Sequence, residues 1–278
     1  MSQFDRVVIV GVGLLGGSIG LALRERKLAR HIVGTSRNPD NRSLAIQRGA
    51  VHECFEDISQ ACVGGIDLAI ICTPVQHIAG SVNACQPYLT PSGLITDVGS
   101  TKAQICDELA EVPRFLGSHP LAGSDKSGVE YAASDLFVDR TAVLTPLRDT
   151  TSDVLEMAES LWQDLGSKTV TMPPAEHDAA VAATSHLPHI LAAALAASTG
   201  EVLLPLVASG WMDTTRIASG NVEMWQQIIH ENQQPILNSL TDFQKSLGDW
   251  IQAIENKDGD QIASLLTLGK RIRDTVGN

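Results

Sequence analysis

The sequence predicts an α/β fold, a doubly wound parallel sheet followed by an all-α unit. Three observations carry this. The run Val7-Val8-Ile9-Val10 is apolar and β-branched, and it leads straight into Gly11-Val12-Gly13-Leu14-Leu15-Gly16-Gly17-Ser18. Strand-like and helix-like segments then alternate to about residue 172, the pattern of parallel strands joined by helices. Beyond Pro173-Pro174 strand patterning stops and alanine-rich helical patterning begins. The domains implied are residues 1–173, a Rossmann-type dinucleotide-binding unit, and residues 174–278, a helical substrate and dimerisation unit.

The elements follow in order. A strand over Arg6–Val10 feeds a glycine turn, and Ser18–Arg24 opens a helix. Glycines at such a junction let a pyrophosphate approach the backbone and sit at the helix N-terminus. Gly11, Gly13 and Gly16, with Leu14 and Leu15, are therefore candidate cofactor-binding residues. The next strand, His31–Arg37, ends in Thr35, Ser36 and Arg37 instead of the Asp or Glu that holds an NAD ribose. A hydroxyl and a guanidinium suit a 2′-phosphate, so NADP is favoured, with NAD possible. Arg42 is near enough in sequence to assist, and Arg37 as an ordinary solvated residue is the plainer alternative. A helix over Ser43–Arg48, a short strand near Val51, and strands over Asp67–Cys72, Gly93–Val98, Arg114–Gly117, Thr141–Thr145 and Lys168–Met172 complete the first unit. Helices are expected at Ala175–Ser198, interrupted at Pro188, and at Glu201–Ser209, Asn221–Glu255 and Asp258–Thr275. Several are apolar on more than one face, which predicts packing against a second copy.

Composition narrows the function. A net charge of −12 argues against nucleic acid and anionic membranes as partners, and the acidic excess is concentrated beyond residue 150. Five cysteines without CxxC spacing suggest reduced thiols and a cytoplasmic location, with no metal site. No signal peptide is expected, and the apolar stretch Ile190–Ala197 is too short to span a bilayer.

Open sheets bind ligands beyond the carboxyl ends of their strands. Three motifs sit at such ends: Cys72-Thr73-Pro74, Asp97-Val98-Gly99-Ser100-Thr101-Lys102, and Gly117-Ser118-His119-Pro120-Leu121-Ala122-Gly123. His119, read as lying in a small-residue loop, is the candidate acid/base because imidazole works near neutral pH. Ser100 is placed to bond that imidazole or a substrate hydroxyl. Lys102 is the alternative acid/base, ranked lower and expected to be structural or solvated. Between Lys168 and Lys245 the only Lys or Arg is Arg216, which suits a substrate carboxylate or pairs with Asp213. His186, beside Pro188, is a second substrate-binding candidate. His177-Asp178 reads as the opening turn of a helix, where Asp suits the dipole.

Taken together these motifs, with Ser185-His186-Leu187-Pro188-His189, Asp213-Thr214-Thr215-Arg216 and Asn221-Val222-Glu223-Met224-Trp225, resemble the prephenate/arogenate dehydrogenase family of tyrosine biosynthesis. The match runs over nearly the whole chain. The resemblance implies NAD(P)-dependent oxidative decarboxylation of a ring bearing a hydroxyl and a carboxylate at opposite positions. It implies His119 as base, Ser100 orienting hydroxyl and nicotinamide, Arg216 on the substrate carboxylate, and His186 and Gly123 lining the pocket. Cys72, Thr73 and Pro74 would border the cofactor, and Ser36-Arg37 looks like the NADP-preferring branch. The partners implied are prephenate or arogenate and a second copy of the chain. No appended regulatory domain is expected, so feedback by tyrosine would act at or near the active site. Two other classes remain open at this stage: another NADP-dependent reductase of the β-hydroxyacid dehydrogenase or imine reductase type, and a non-catalytic NADPH-binding sensor.

Overall fold

A computed structural model describes residues 3–123 and 126–277. Eight strands form one sheet: β1 (Phe4–Val10), β2 (Ala29–Thr35), β3 (Glu53–Phe55), β4 (Ile66–Ile71), β5 (Leu89–Asp97), β6 (Phe115–Pro120), β7 (Thr141–Thr145) and β8 (Lys168–Thr171). Their order is β3-β2-β1-β4-β5-β6-β7-β8. Strands β1 to β6 are parallel, β7 runs antiparallel to β6, and β8 is parallel to β7 at the edge. The order reverses between β1 and β4, and that switch point opens the ligand crevice at their carboxyl ends.

Helices α1 (Leu14–Glu25), α2 (Pro39–Gln47), α3 (Ile58–Cys62), α4 (Ile78–Cys85), α5 (Ala103–Glu108) and α6 (Ser152–Asp164) belong to the sheet region. The run Val7–Val10 is continuous because both faces of β1 are buried. Val7 and Ile9 join Ile19, Leu23, Phe137 and Trp162 in one core cluster. Val8 and Val10 join Ile71, Ile78, Val82 and Ile95 in another.

The helical unit holds α7 (Pro174–Val181), α8 (Leu187–Ser198), α9 (Ser209–Thr215), α10 (Val222–Glu231), α11 (Gln233–Glu255) and α12 (Gly259–Val276). A five-residue π-turn, Ala182–His186, joins α7 to α8. Pro188 has no N–H to return to the preceding turn, so the ladder widens there instead of breaking. The joined run, Pro174–Ser198, is 25 residues long and apolar enough by length and composition to cross a bilayer. That corrects the shorter span read from Ile190–Ala197 alone. Its buried face carries His177, Asp178 and His186, so it is engaged with the rest of the fold.

Four further readings are corrected. The edge strand lies at Glu53–Phe55, past Val51, and the 201–209 segment is a 3-10 turn over Glu201–Leu206 that contains Pro205. The predicted 221–255 helix breaks at Asn232, whose backbone (φ −113, ψ 33) leaves the helical region. His119 is in strand β6, not in a loop, because antiparallel β7 carries the ladder on to the pairs His119↔Val143 and Pro120↔Ala142.

Candidate active site

The glycine turn between β1 and α1 is built for close approach. Gly11 has φ +97, and a Cβ there would lie 2.8 Å from the Cys72 carbonyl oxygen. A Cβ on Gly16 would collide with the Gly11 carbonyl, so that glycine seats the helix on its strand. Gly13 differs: a Cβ there meets no atom of the described residues within 4 Å. Gly13 is the N-cap of α1 and supplies no side-chain cap, and the first turn has no acidic residue. The backbone N–H groups of the first turn, where Leu14 and Leu15 lie, are therefore free to bind a pyrophosphate. Across the crevice Cys72, Thr73 and Pro74 leave β4, and the Thr73 hydroxyl is buried without a partner among the described residues. These residues fit a dinucleotide.

At the far end of the crevice the Thr35 hydroxyl accepts a bond from the Gly11 N–H at 3.2 Å. Thr35 is buried and holds the glycine turn, so its contribution to the cofactor site is indirect. The Ser36 hydroxyl oxygen accepts from Asn41 Nδ2 at 3.1 Å and from the Asn38 N–H at 3.3 Å. Its own proton is left to donate outward. Arg37 is exposed and has no ion pair among the described residues. Arg42 does not share its freedom: it donates to the Ser36 carbonyl at 2.7 Å and pairs with Glu56 at 3.2 Å. Arg42 buttresses the turn that displays Arg37.

The chemistry-bearing side chains gather where β5 and β6 end. Lys102 and Asp97 form a fully buried ion pair. Asp97 also accepts from the Gly99 N–H at 2.7 Å and the Ser118 N–H at 3.1 Å. This pair fixes the Val98–Ser100 turn against β6, and it makes Lys102 structural. Ser100 is half-buried at the tip of that turn, and its hydroxyl has no protein partner among the described residues. It does not bond His119 here.

His119 instead pairs with a residue that sequence reasoning assigned only to a helix turn. His119 Nδ1 lies 2.8 Å from His177 Nε2. His177 Nδ1 lies 2.7 Å from Asp178 Oδ1. Asp178 accepts in addition from the Lys102 N–H and the Ala103 N–H, each at 2.8 Å, so it caps α5 across from its own helix. The proton inventory then resolves itself. A carboxylate only accepts, so His177 Nδ1–H donates to it. His177 Nε2 then offers a lone pair, and His119 Nδ1–H donates to that. His119 Nε2 is left as a bare acceptor. Burial holds the His119 imidazole well below the usual histidine range, and electrostatic influence from His177, Lys102 and His186 acts in the same direction. The ring is thus neutral, with its lone pair at one defined atom.

His186 is 1% exposed, and burial pushes its pKa down to about 4 against an opposing pull from Asp178. Its ring meets the Trp225 indole edge-on at 5.9 Å. The same indole stacks on His189 at 3.6 Å. His189 is held below the ordinary histidine value by burial, with the Arg216 charge contributing, which places Arg216 near this aromatic wall. The Arg216 guanidinium is exposed and makes no ion pair among the described residues, with Asp213 or any other carboxylate. Gly123 is exposed and leads into residues 124–125, which lie outside the described set.

The comparisons with known proteins agree along the whole chain. Residues 19–171 match the nucleotide-binding domain of prephenate dehydrogenase, and residues 173–268 match the prephenate dehydrogenase dimerization domain. The chain is 33% identical to the prephenate dehydrogenase of Bacillus subtilis, covering 97% of this chain and 76% of that protein. It is 29% identical to the cyclohexadienyl dehydrogenase of Zymomonas mobilis, covering 94% and 92%. It superposes on A. aeolicus prephenate dehydrogenase in complex with hydroxyphenyl propionate and NAD+ with a TM-score of 0.92 at 31% identity, covering 98% of each chain. For Synechocystis arogenate dehydrogenase the TM-score is 0.85 at 32% identity, covering 98% and 99%.

Proposed function

The chain belongs to the prephenate dehydrogenase family, and from that premise we propose that it oxidatively decarboxylates prephenate or arogenate with NAD(P)+. The observation that carries the reading is the bare Nε2 of His119, fixed by the His177–Asp178 relay at the carboxyl end of β6. A nicotinamide cofactor held by the glycine turn and the first-turn N–H groups of α1 would supply the hydride acceptor for the hydroxyl-bearing ring carbon. His119 Nε2 takes the hydroxyl proton as that carbon becomes a carbonyl. The ring carboxylate then leaves as carbon dioxide, its bonding pair enters the ring, and the oxygen regains a proton from His119. Aromatisation makes the step irreversible. Ser100, whose hydroxyl has no partner among the described residues, orients the substrate hydroxyl. Arg216 holds a substrate carboxylate, and His186 and Gly123 border the pocket.

NADP is favoured over NAD. Arg37 is exposed and has no ion pair among the described residues, and Ser36 keeps a proton to donate. A 2′-phosphate would satisfy both. The active form is a homodimer through the helical unit: Val202, Leu206, Val222, Ile254 and Val276 are all more than half exposed in one chain. Exposed apolar surface of that extent marks an interface. The five free thiols fit a reducing cytoplasm.

The test is a cofactor-reduction assay crossing prephenate and arogenate with NAD+ and NADP+, run beside His119→Asn. Turnover in at least one combination, with a His119→Asn loss of about 10²- to 10⁴-fold, is expected. No turnover by a protein that binds NADPH would overturn the reading. So would hydroxyacid oxidation in its place.

A further inference from the structure

Asn232 sits at the break between α10 and α11, 1% exposed, and reaches two groups of the active site. Its Nδ2 is 2.8 Å from the Asp178 backbone carbonyl and 3.0 Å from His186 Nδ1. A carbonyl oxygen only accepts, so the amide nitrogen must face it, and the orientation of the amide is settled. An amide nitrogen has no lone pair to offer, so His186 Nδ1 is the acceptor and carries no proton. The ring is neutral at ordinary pH, hence its single proton is on Nε2. Among the described residues that N–H has no hydrogen-bond partner.

We propose that Asn232 is a positioning residue that fixes His186 as a hydrogen-bond donor to a carboxylate oxygen of the substrate. The proposal rests on the dehydrogenase reading of the cleft. It assigns the two imidazoles opposite polarity. His119 presents a lone pair to the hydroxyl that must lose its proton, and His186 presents a proton to an oxygen that only accepts. Both assignments run through Asp178. Its side chain orients His177 and thereby His119, and its backbone carbonyl orients Asn232 and thereby His186. A neutral N–H donor repels an ammonium and attracts a carboxylate, so His186 discriminates in favour of the anionic end of the ligand. The Trp225 indole, edge-on to His186, excludes water from one side of the ring and strengthens the bond.

The experiment uses the full-length protein with NAD+ present and ¹⁵N-labelled histidine, with hydroxyphenyl propionate as the carboxylate probe. In the wild type at neutral pH, ¹⁵N NMR should find His186 protonated at Nε2 and bare at Nδ1. Asn232→Asp should move the proton to Nδ1, because a carboxylate accepts from it. The Kd for the probe should rise about 10- to 150-fold, the loss expected for one hydrogen bond to a charged group. His186→Gln keeps an amide N–H near the same place and should bind within about threefold of wild type, whereas His186→Leu should lose as much as Asn232→Asp. If Asn232→Asp does not fold, the wild-type spectrum and the two His186 variants decide. A wild-type proton on Nδ1, or equal Kd values for His186→Leu and wild type, would overturn the proposal. These readouts need no turnover, so they stand apart from the assay of the reaction.

Discussion

His177→Leu tests the relay with little change in volume. The wild-type His119 Nδ1–H donates to His177 Nε2 at 2.8 Å, and the productive tautomer is the one with that donor satisfied. Removing the acceptor leaves the Nδ1–H unpaired in a site where burial already weighs on the ring. An unmade buried hydrogen bond costs about 1–3 kcal/mol. The ring can avoid that cost by moving its proton to Nε2, which blocks the base. At 1.36 kcal/mol per tenfold, the productive tautomer should become about 5- to 150-fold rarer, and kcat should fall by that factor. KM should move little, since His177 does not line the substrate pocket directly. The loss must not exceed that of His119→Asn, and the double variant should be no worse than His119→Asn alone. The assay is steady-state cofactor reduction on protein whose folding is checked by thermal melting. A folded His177→Leu variant with wild-type kcat, or one whose whole defect lies in KM, would refute the relay.

Other consequences are as direct. Arg37→Ala should raise KM for NADP+ about 10- to 150-fold and leave NAD+ within a few-fold; equal losses on both cofactors would remove Arg37 from the 2′-phosphate. Arg216→Ala should raise the substrate KM at least about tenfold while melting like wild type, because the exposed guanidinium has no internal ion pair among the described residues; a lowered melting temperature with unchanged KM would make it structural. Acid should destabilise the fold through His186. Its unfolded imidazole takes a proton near pH 6.5, whereas the folded one refuses it until about 4. The unfolded state therefore binds more protons in that window, and stability should fall as pH drops from about 6.5 to about 4, by roughly 3 kcal/mol. Urea titrations across that range would measure it, and His186→Gln should flatten the slope.

Most of the fold was legible because it is written in local pattern. The apolar run of β1, the glycine turn and the alternation of elements each follow from short-range chemistry, and the helical unit announces itself at Pro173-Pro174. The glycines were legible too, since only close backbone approach explains three of them at that spacing. His119 was identified as a residue but misplaced as a loop member. Ser118-His119-Pro120 has no strand character of its own, and the ladder comes from β7, more than twenty residues on. The relay was not legible. His177 and Asp178 reach His119 and the start of α5 only when α7 docks there, across sequence separations of 58 and 76 residues. The one signal was a His-Asp pair that a helix buries whole. Asn232 gave less still, being one more polar residue in a long amphipathic stretch until the chain bends there and buries it.

The most direct measurement of the central claim is the ratio of carbon dioxide released to cofactor reduced, on wild type and on His119→Asn. One carbon dioxide is expected for each reduced cofactor with prephenate or arogenate, and both products should fall together in His119→Asn while NADPH still binds. Cofactor reduction without carbon dioxide, or a His119→Asn variant that releases both at the wild-type rate, would contradict it.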